Sequence, residues 1–127
     1  MKLAYEIHGD PKNPIIVLVQ GLGMPLTATP PELVEKLVNK QLCLLLIDNR
    51  DIGQSEKFDH APPNIIWQAI KYQFGLKVKS FYKLDNMMSD INELLIKLNI
   101  KSAHILGVSM GGMIAQQVAA QYPQRVR

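Results

Sequence analysis

Cysteine is almost absent from this sequence. Cys43 stands alone, so no disulfide closes within the chain, and its place inside an apolar run marks it as a small core residue. Long hydrophobic runs are missing as well: no uncharged apolar stretch approaches the roughly 18 residues of a membrane span. Neither sign of charge dominates, with 14 Lys and Arg against 11 Asp and Glu and a net charge of +3. Lys71, Lys77, Lys79 and Lys83 gather around Tyr72, Phe74, Phe81 and Tyr82. Without an RNP or GXXG signature they describe a solvated surface, not a nucleic-acid interface. Metal ligation has no support, because His8, His60 and His104 show no ligand spacing with one another or with Cys43. A phosphate loop of the G-x-x-x-x-G-K-S/T type is missing too. No cofactor is expected. Glu6 comes too early for a secretory signal, so a cytoplasmic location is the expectation.

What is present suits one globular domain over residues 1–127. The chain is 47% hydrophobic and 20% charged, outside the apolar-poor, highly charged range of disorder. Three apolar runs, Pro14–Val19, Leu42–Ile47 and Ala103–Leu106, have the length and composition of buried strands. Each is followed by a turn and a helical pattern. Lys2–Ile7 offers a further strand. After the first run, Thr29-Pro30-Pro31-Glu32 supplies a capping residue and first-turn prolines, and Leu33, Val34, Leu37 and Val38 mark one helical face. Pro62 and Pro63 break the chain, Ile65–Phe74 reads as a short helix, and Gly75 stops it. Leu84, Met87, Met88, Ile91, Leu94, Leu95 and Leu98 follow the spacing of an amphipathic helix, with the methionines as core fillers. A last helix runs from about Met110 to Tyr122 and ends at Pro123. Strand, turn and helix in repetition predict an α/β fold, a mostly parallel sheet flanked by helices.

The chemistry concentrates at Gly107-Val108-Ser109-Met110-Gly111, a G-x-S-x-G pattern. Three fixed positions at about 7% each over some 120 windows give roughly a 4% chance match, so the pentapeptide alone is weak. Its setting, directly after a buried strand and before a helix, is what a nucleophile elbow requires. The turn would hold the Ser109 hydroxyl above the sheet in a strained backbone, with Gly107 and Gly111 clearing space where its arms meet. Met110 N–H, at the helix start, would point toward an oxyanion. A second donor is expected from Gln20-Gly21-Leu22-Gly23, with Leu22 N–H best placed.

Together with Asp48-Asn49-Arg50-Asp51-Ile52-Gly53-Gln54-Ser55, these motifs resemble the first half of an α/β-hydrolase. The middle one is similar to the family's D-x-R-G-x-G-x-S pattern, with Asp51 in place of a glycine, and Gln20 stands where many members carry histidine. The wording is most similar to aclacinomycin methylesterase-like esterases. The resemblance implies a serine hydrolase of carboxylic esters, with Ser109 as nucleophile. It also implies a chain order of Ser, then acid, then His, yet Met110–Arg127 contains no Asp, Glu or His. His104 reads as sheet packing, His8 as a turn residue and His60 as a loop residue. The expectation is therefore a truncated core, lacking the lid and C-terminal strands, inactive as it stands. Residues 60–83 would give at most one pocket wall, through Trp67, Phe74 and Phe81. The family's sheet order would leave the Ala103–Leu106 strand with an open apolar edge, and so predicts self-association.

Two other classes stay open. A non-catalytic binding module or inert fragment fits the missing base. A dinucleotide-binding domain is imitated by Gly21-x-Gly23 after a strand, with Asp48 ending the next one, although Leu26 occupies the position of the third glycine and Pro25 disturbs the helix start.

Overall fold

The structure, a computed structural model, describes residues 1–58, 70–71, 73–76 and 81–127. Among these lie four strands, β1 (Tyr5–His8), β2 (Ile15–Val19), β3 (Cys43–Ile47) and β4 (His104–Gly107), in one sheet of order β1-β3-β2-β4. β2 runs parallel to β3 and β4, and β1 is antiparallel to β3. The central strands are continuous apolar runs because both of their faces are covered. Every residue of Cys43–Ile47 is buried.

Side chains alternate across a strand, and this sorts the core into two layers. Val17, Val19, Leu45 and Ile47 face α2 (Leu84–Lys97) and α3 (Met110–Gln121), where Met87, Ile91, Leu95, Ile114 and Val118 close the larger cluster. Leu18, Leu44 and Leu46 face the other way, onto Leu26 and onto Val34, Leu37 and Val38 of α1 (Pro31–Val38). Helices therefore flank both faces. Lys83 N–H donates to Asn86 Oδ1 (2.9 Å) at the start of α2, and Asn99, at φ 56°, turns the chain out of its far end.

Four local expectations need correction. His8, read as a turn residue, is the last residue of β1 and pairs with Leu44. Thr29 does not cap α1: the helix starts at Pro31 without a side-chain cap, and the Thr29 hydroxyl instead accepts Gln20 Nε2–H at 2.7 Å. Leu33 is 39% exposed, so the stripe of α1 that packs on the sheet is only the partly buried Val34, Leu37 and Val38, narrower than its apolar pattern. His104 is exposed, not packed. With Leu106 it points to the face that α1 covers only nearer β3, whereas Ile105 joins the larger cluster. Most of Ile65–Phe74, with Trp67, lies outside the described residues; its end is as read, with Ile70, Lys71 and Gln73 helical and Gly75 at φ 66°. Phe74 and Phe81 are 75% and 60% exposed.

β4 lies at the end of the sheet. Beyond it, Ala103 N–H bonds Arg125 O (2.9 Å) and Arg127 N–H bonds Ala103 O (3.1 Å), a parallel bridge to Val126. Backbone groups two and four residues on, at Ile105 and Gly107, share that direction and meet no strand among the described residues.

Candidate active site

Ser109 occupies the step between β4 and α3 at φ 53° and ψ −117°. A side chain in this region costs about 1–3 kcal/mol and persists only where its surroundings impose it. Here they do. Val108 N–H bonds Val19 O at 3.0 Å, Gly111 N–H bonds Val108 O at 2.9 Å, and Gly112 N–H bonds Ser109 O at 2.8 Å. The two arms close so tightly that a Cβ on Gly107 would overlap the Gly111 carbonyl and the Gly112 nitrogen. On Gly111 it would overlap the Val19 carbonyl. Ser109 is exposed, and its hydroxyl makes no cap bond to the helix, so a simple capping role does not explain it. Met110 N–H, at the positive end of α3, meets no backbone acceptor among the described residues.

The Gly21–Met24 turn lies against this step. Met24 N–H bonds Gly21 O at 3.2 Å, and Gly23 takes φ 74°. A Cβ on Gly21 would stand 3.5 Å from Ser109 Cβ and 3.4 Å from Val108 O. Leu22 is 79% exposed, and its N–H too meets no backbone acceptor among the described residues. Gln20 is buried and anchors the turn from below: its side chain holds Thr29, and its carbonyl accepts Asn49 Nδ2–H at 3.1 Å.

A third segment braces the other two. The buried Asp48 carboxylate accepts Leu26 N–H (2.6 Å) and Gln54 N–H (2.9 Å), and the Ser55 hydroxyl donates to Asp48 O (2.6 Å). Gly53, at φ 54°, has no room for a Cβ beside that carboxylate. Asp51 sits at φ 65°, so the position read as a glycine in the family's pattern does need a left-handed backbone. Its carboxylate compensates by accepting Phe58 N–H at 2.7 Å. Tyr82 lies against it; burial, then the Asp51 charge and hydrogen bond, push the phenol pKa up, and Arg50 opposes them. Arg50 itself makes a buried two-pronged pair with Asp90, both bonds at 2.8 Å, and its guanidinium lies 5.1 Å from the Tyr82 ring centre. Asp90 escaped the sequence reading, which took Thr29 only as a cap and Asn49 only as part of the motif. Asp90 had a signal, an acid set among Met87, Ile91 and Leu94 on the buried stripe of α2.

The two described histidines are elsewhere. Strand register puts His8, Leu44, Ile16 and His104 in one row. That row lies near the beginnings of the parallel strands, whereas Ser109 follows the end of β4. His8 also bonds Glu6 at 3.0 Å, and His60 falls outside the described residues. The dinucleotide imitation loses its geometry. Gly21-x-Gly23 leads into a short 3-10 turn at Leu26–Ala28, α1 starts only at Pro31, and both Asp48 oxygens are engaged within the protein. Among the described residues there is no cluster of three metal-ligating side chains, and no helix long and apolar enough to cross a membrane.

A model of the alpha/beta hydrolase fold matches residues 14–127. Two curated relatives are rhodomycin D methylesterases. That of Streptomyces sp. (strain C5) is 27% identical and that of Streptomyces peucetius 28%, each over 93% of this chain and 34% of its own length. The enol-lactonase of Burkholderia xenovorans LB400 superposes with a TM-score of 0.75 at 30% identity, over 98% of this chain and 40% of that structure. The chain thus spans about a third of the length of the curated relatives it matches.

Proposed function

The chain belongs to the alpha/beta hydrolase fold family, and from that membership we propose that it carries the nucleophile and oxyanion hole of a serine hydrolase acting on carboxylic esters. The observation that carries the reading is the placement of Ser109. An exposed hydroxyl is held in a strained turn, makes no cap bond, and stands beside the Gly21–Leu22 turn. In the proposed reaction Ser109 Oγ attacks the ester carbonyl carbon as a base removes its proton. The carbonyl oxygen becomes an oxyanion held by the N–H groups of Leu22 and Met110. Collapse expels the alcohol and leaves an acyl-serine, which water then releases as the acid. Losing one such donor costs about 3–4 kcal/mol of transition-state stabilisation.

Serine needs an oriented base, and neither His8 nor His104 is placed to serve. We assign the acid and the histidine to residues beyond these 127 and read the chain alone as unable to turn over. The relatives' names, a methylesterase and an enol-lactonase, both describe cleavage of a carboxylic ester, open or cyclic, and support an ester as the substrate class. The test is a fluorophosphonate probe applied to the protein in its natural source, followed by intact mass and peptide mapping. One adduct on Ser109, lost in Ser109→Ala together with ester turnover, is the expected result. Unchanged turnover in Ser109→Ala would sink the reading.

The open edge of β4 supports self-association of the 127-residue chain. Ile105 and Gly107 present backbone groups there, and Leu106 is 47% exposed beside them. An unpaired edge is a template for a second strand. Light scattering should give a mass that rises with concentration and falls back in Leu106→Lys; a concentration-independent monomer removes the proposal.

A further inference from the structure

At the opposite end of the sheet from Ser109, where the parallel strands begin, lies a cavity of about 400 Å³. That is within the range of roughly 300–1,000 Å³ typical of small-molecule sites. Its floor is apolar: Ile15, Cys43, Leu45, Leu98 and Ile100. Its rim carries Lys12, Lys101 and Arg127, and no Asp or Glu side chain lines it. Arg127 is oriented by a bond from Nε to the Ser102 hydroxyl at 2.9 Å. Neither lysine ammonium forms an ion pair among the described residues. Asp10, the acid in the neighbouring turn, spends one oxygen on the Lys12 backbone N–H at 2.9 Å. Burial, reinforced by the Asp10 charge, pushes the Cys43 thiol pKa up, so the floor stays neutral.

A neutral apolar floor under a cationic rim selects for a ligand with both characters. We propose that this cavity binds a small amphiphilic anion, a medium-chain carboxylate, with its head on Lys12 and Lys101 and its alkyl body over Ile15, Leu98 and Ile100. The site is separate from the elbow and does not depend on Ser109 being a nucleophile. Burial of the alkyl chain provides affinity in proportion to apolar area removed from water, and the rim sets the sign of charge accepted.

The probe is decanoate, compared with decanol and decyltrimethylammonium, titrated into the isotope-labelled chain and followed by amide shifts. Decanoate should move Lys12, Asn13 and Asn99–Ser102, leave Gly21–Leu22 and Ser109–Met110 in place, and bind more tightly than either comparator. Lys12→Glu with Lys101→Glu should weaken it by about tenfold or more, the scale of losing a charge-assisted contact. Both positions are exposed, and circular dichroism checks that the fold is kept; Lys12→Gln with Lys101→Gln should fall between. Ser109→Ala should bind decanoate as the parent does. Shifts centred on Ser109, equal binding of decanol, unchanged affinity in the double reversal, or no binding would each overturn the assignment.

Discussion

Two loops at the same end of the sheet are fixed by opposite means. The elbow around Ser109 is held by what its residues lack: Gly107 and Gly111 have no side chains, so backbone meets backbone at van der Waals contact. The Asp48–Ser55 loop is held by what its residues have. Asp48, Asn49, Arg50 and Ser55 are buried polar groups, bonded outside the loop to Leu26, Gln20, Asp90 and Ala4 respectively. Steric closeness leaves no soft response to an added atom, whereas a hydrogen-bonded brace fails one partner at a time. The first arrangement fixes where a hydroxyl stands; the second ties the loops after β2 and β3 to α2.

The comparison predicts its largest effect at Gly111. Alanine there places a methyl on the Val19 carbonyl, and neither backbone can yield without breaking β2 or α3. We expect a loss above about 4 kcal/mol, in the range reserved for severe disruption, and a chain without a cooperative urea transition. A mild loss would mean that the elbow is looser than its contacts. Asp90→Ala comes next. It strands the buried Arg50 charge and should cost about 3–5 kcal/mol, while Arg50→Met with Asp90→Leu should recover most of it. Failure of the double variant to recover would show that Arg50 matters chiefly through its contacts with Asn86, Phe58 and Tyr82. Asp48→Ala leaves the Leu26 and Gln54 N–H groups without their acceptor and should cost about 1–3 kcal/mol by the same unfolding measurement. A neutral result would mean that water replaces the carboxylate.

The same contrast explains what could be read from the sequence. The elbow was legible because steric demands write themselves locally: two glycines flanking a serine, at fixed spacing, between an apolar run and a helix. The parallel strands were legible for a similar reason, since burial on both faces leaves continuous apolar runs. The brace was legible only as a motif. Arg50 and Asp90 are 40 residues apart, and no local pattern pairs them. Thr29 was misread because a threonine before two prolines has the form of a cap, yet Gln20 reaches it first. His104 was misread because strand alternation tells which residues share a face, not whether a helix covers that face.

The smallest expected effects separate the two loops most sharply, because Ser109 and Asp51 both hold positive φ, at 53° and 65°. At Ser109 the side chain makes no hydrogen bond among the described residues that repays its backbone conformation. Ser109→Gly removes strain of about 1–3 kcal/mol and adds about 0.5–1 kcal/mol of unfolded-state freedom. The net should be a stabilisation of about 1 kcal/mol, visible as a raised urea midpoint in a chain without the Ser109 hydroxyl. At Asp51 the carboxylate accepts Phe58 N–H and touches Tyr82, so Asp51→Gly removes strain and partners together. Its midpoint should stay level or fall. If both variants gain equally, the Asp51 hydrogen bonds contribute nothing, and that loop too is held by backbone alone. If Ser109→Gly is not stabilising, the serine's conformation is not strained, and the main physical sign that this turn is kept for chemistry disappears.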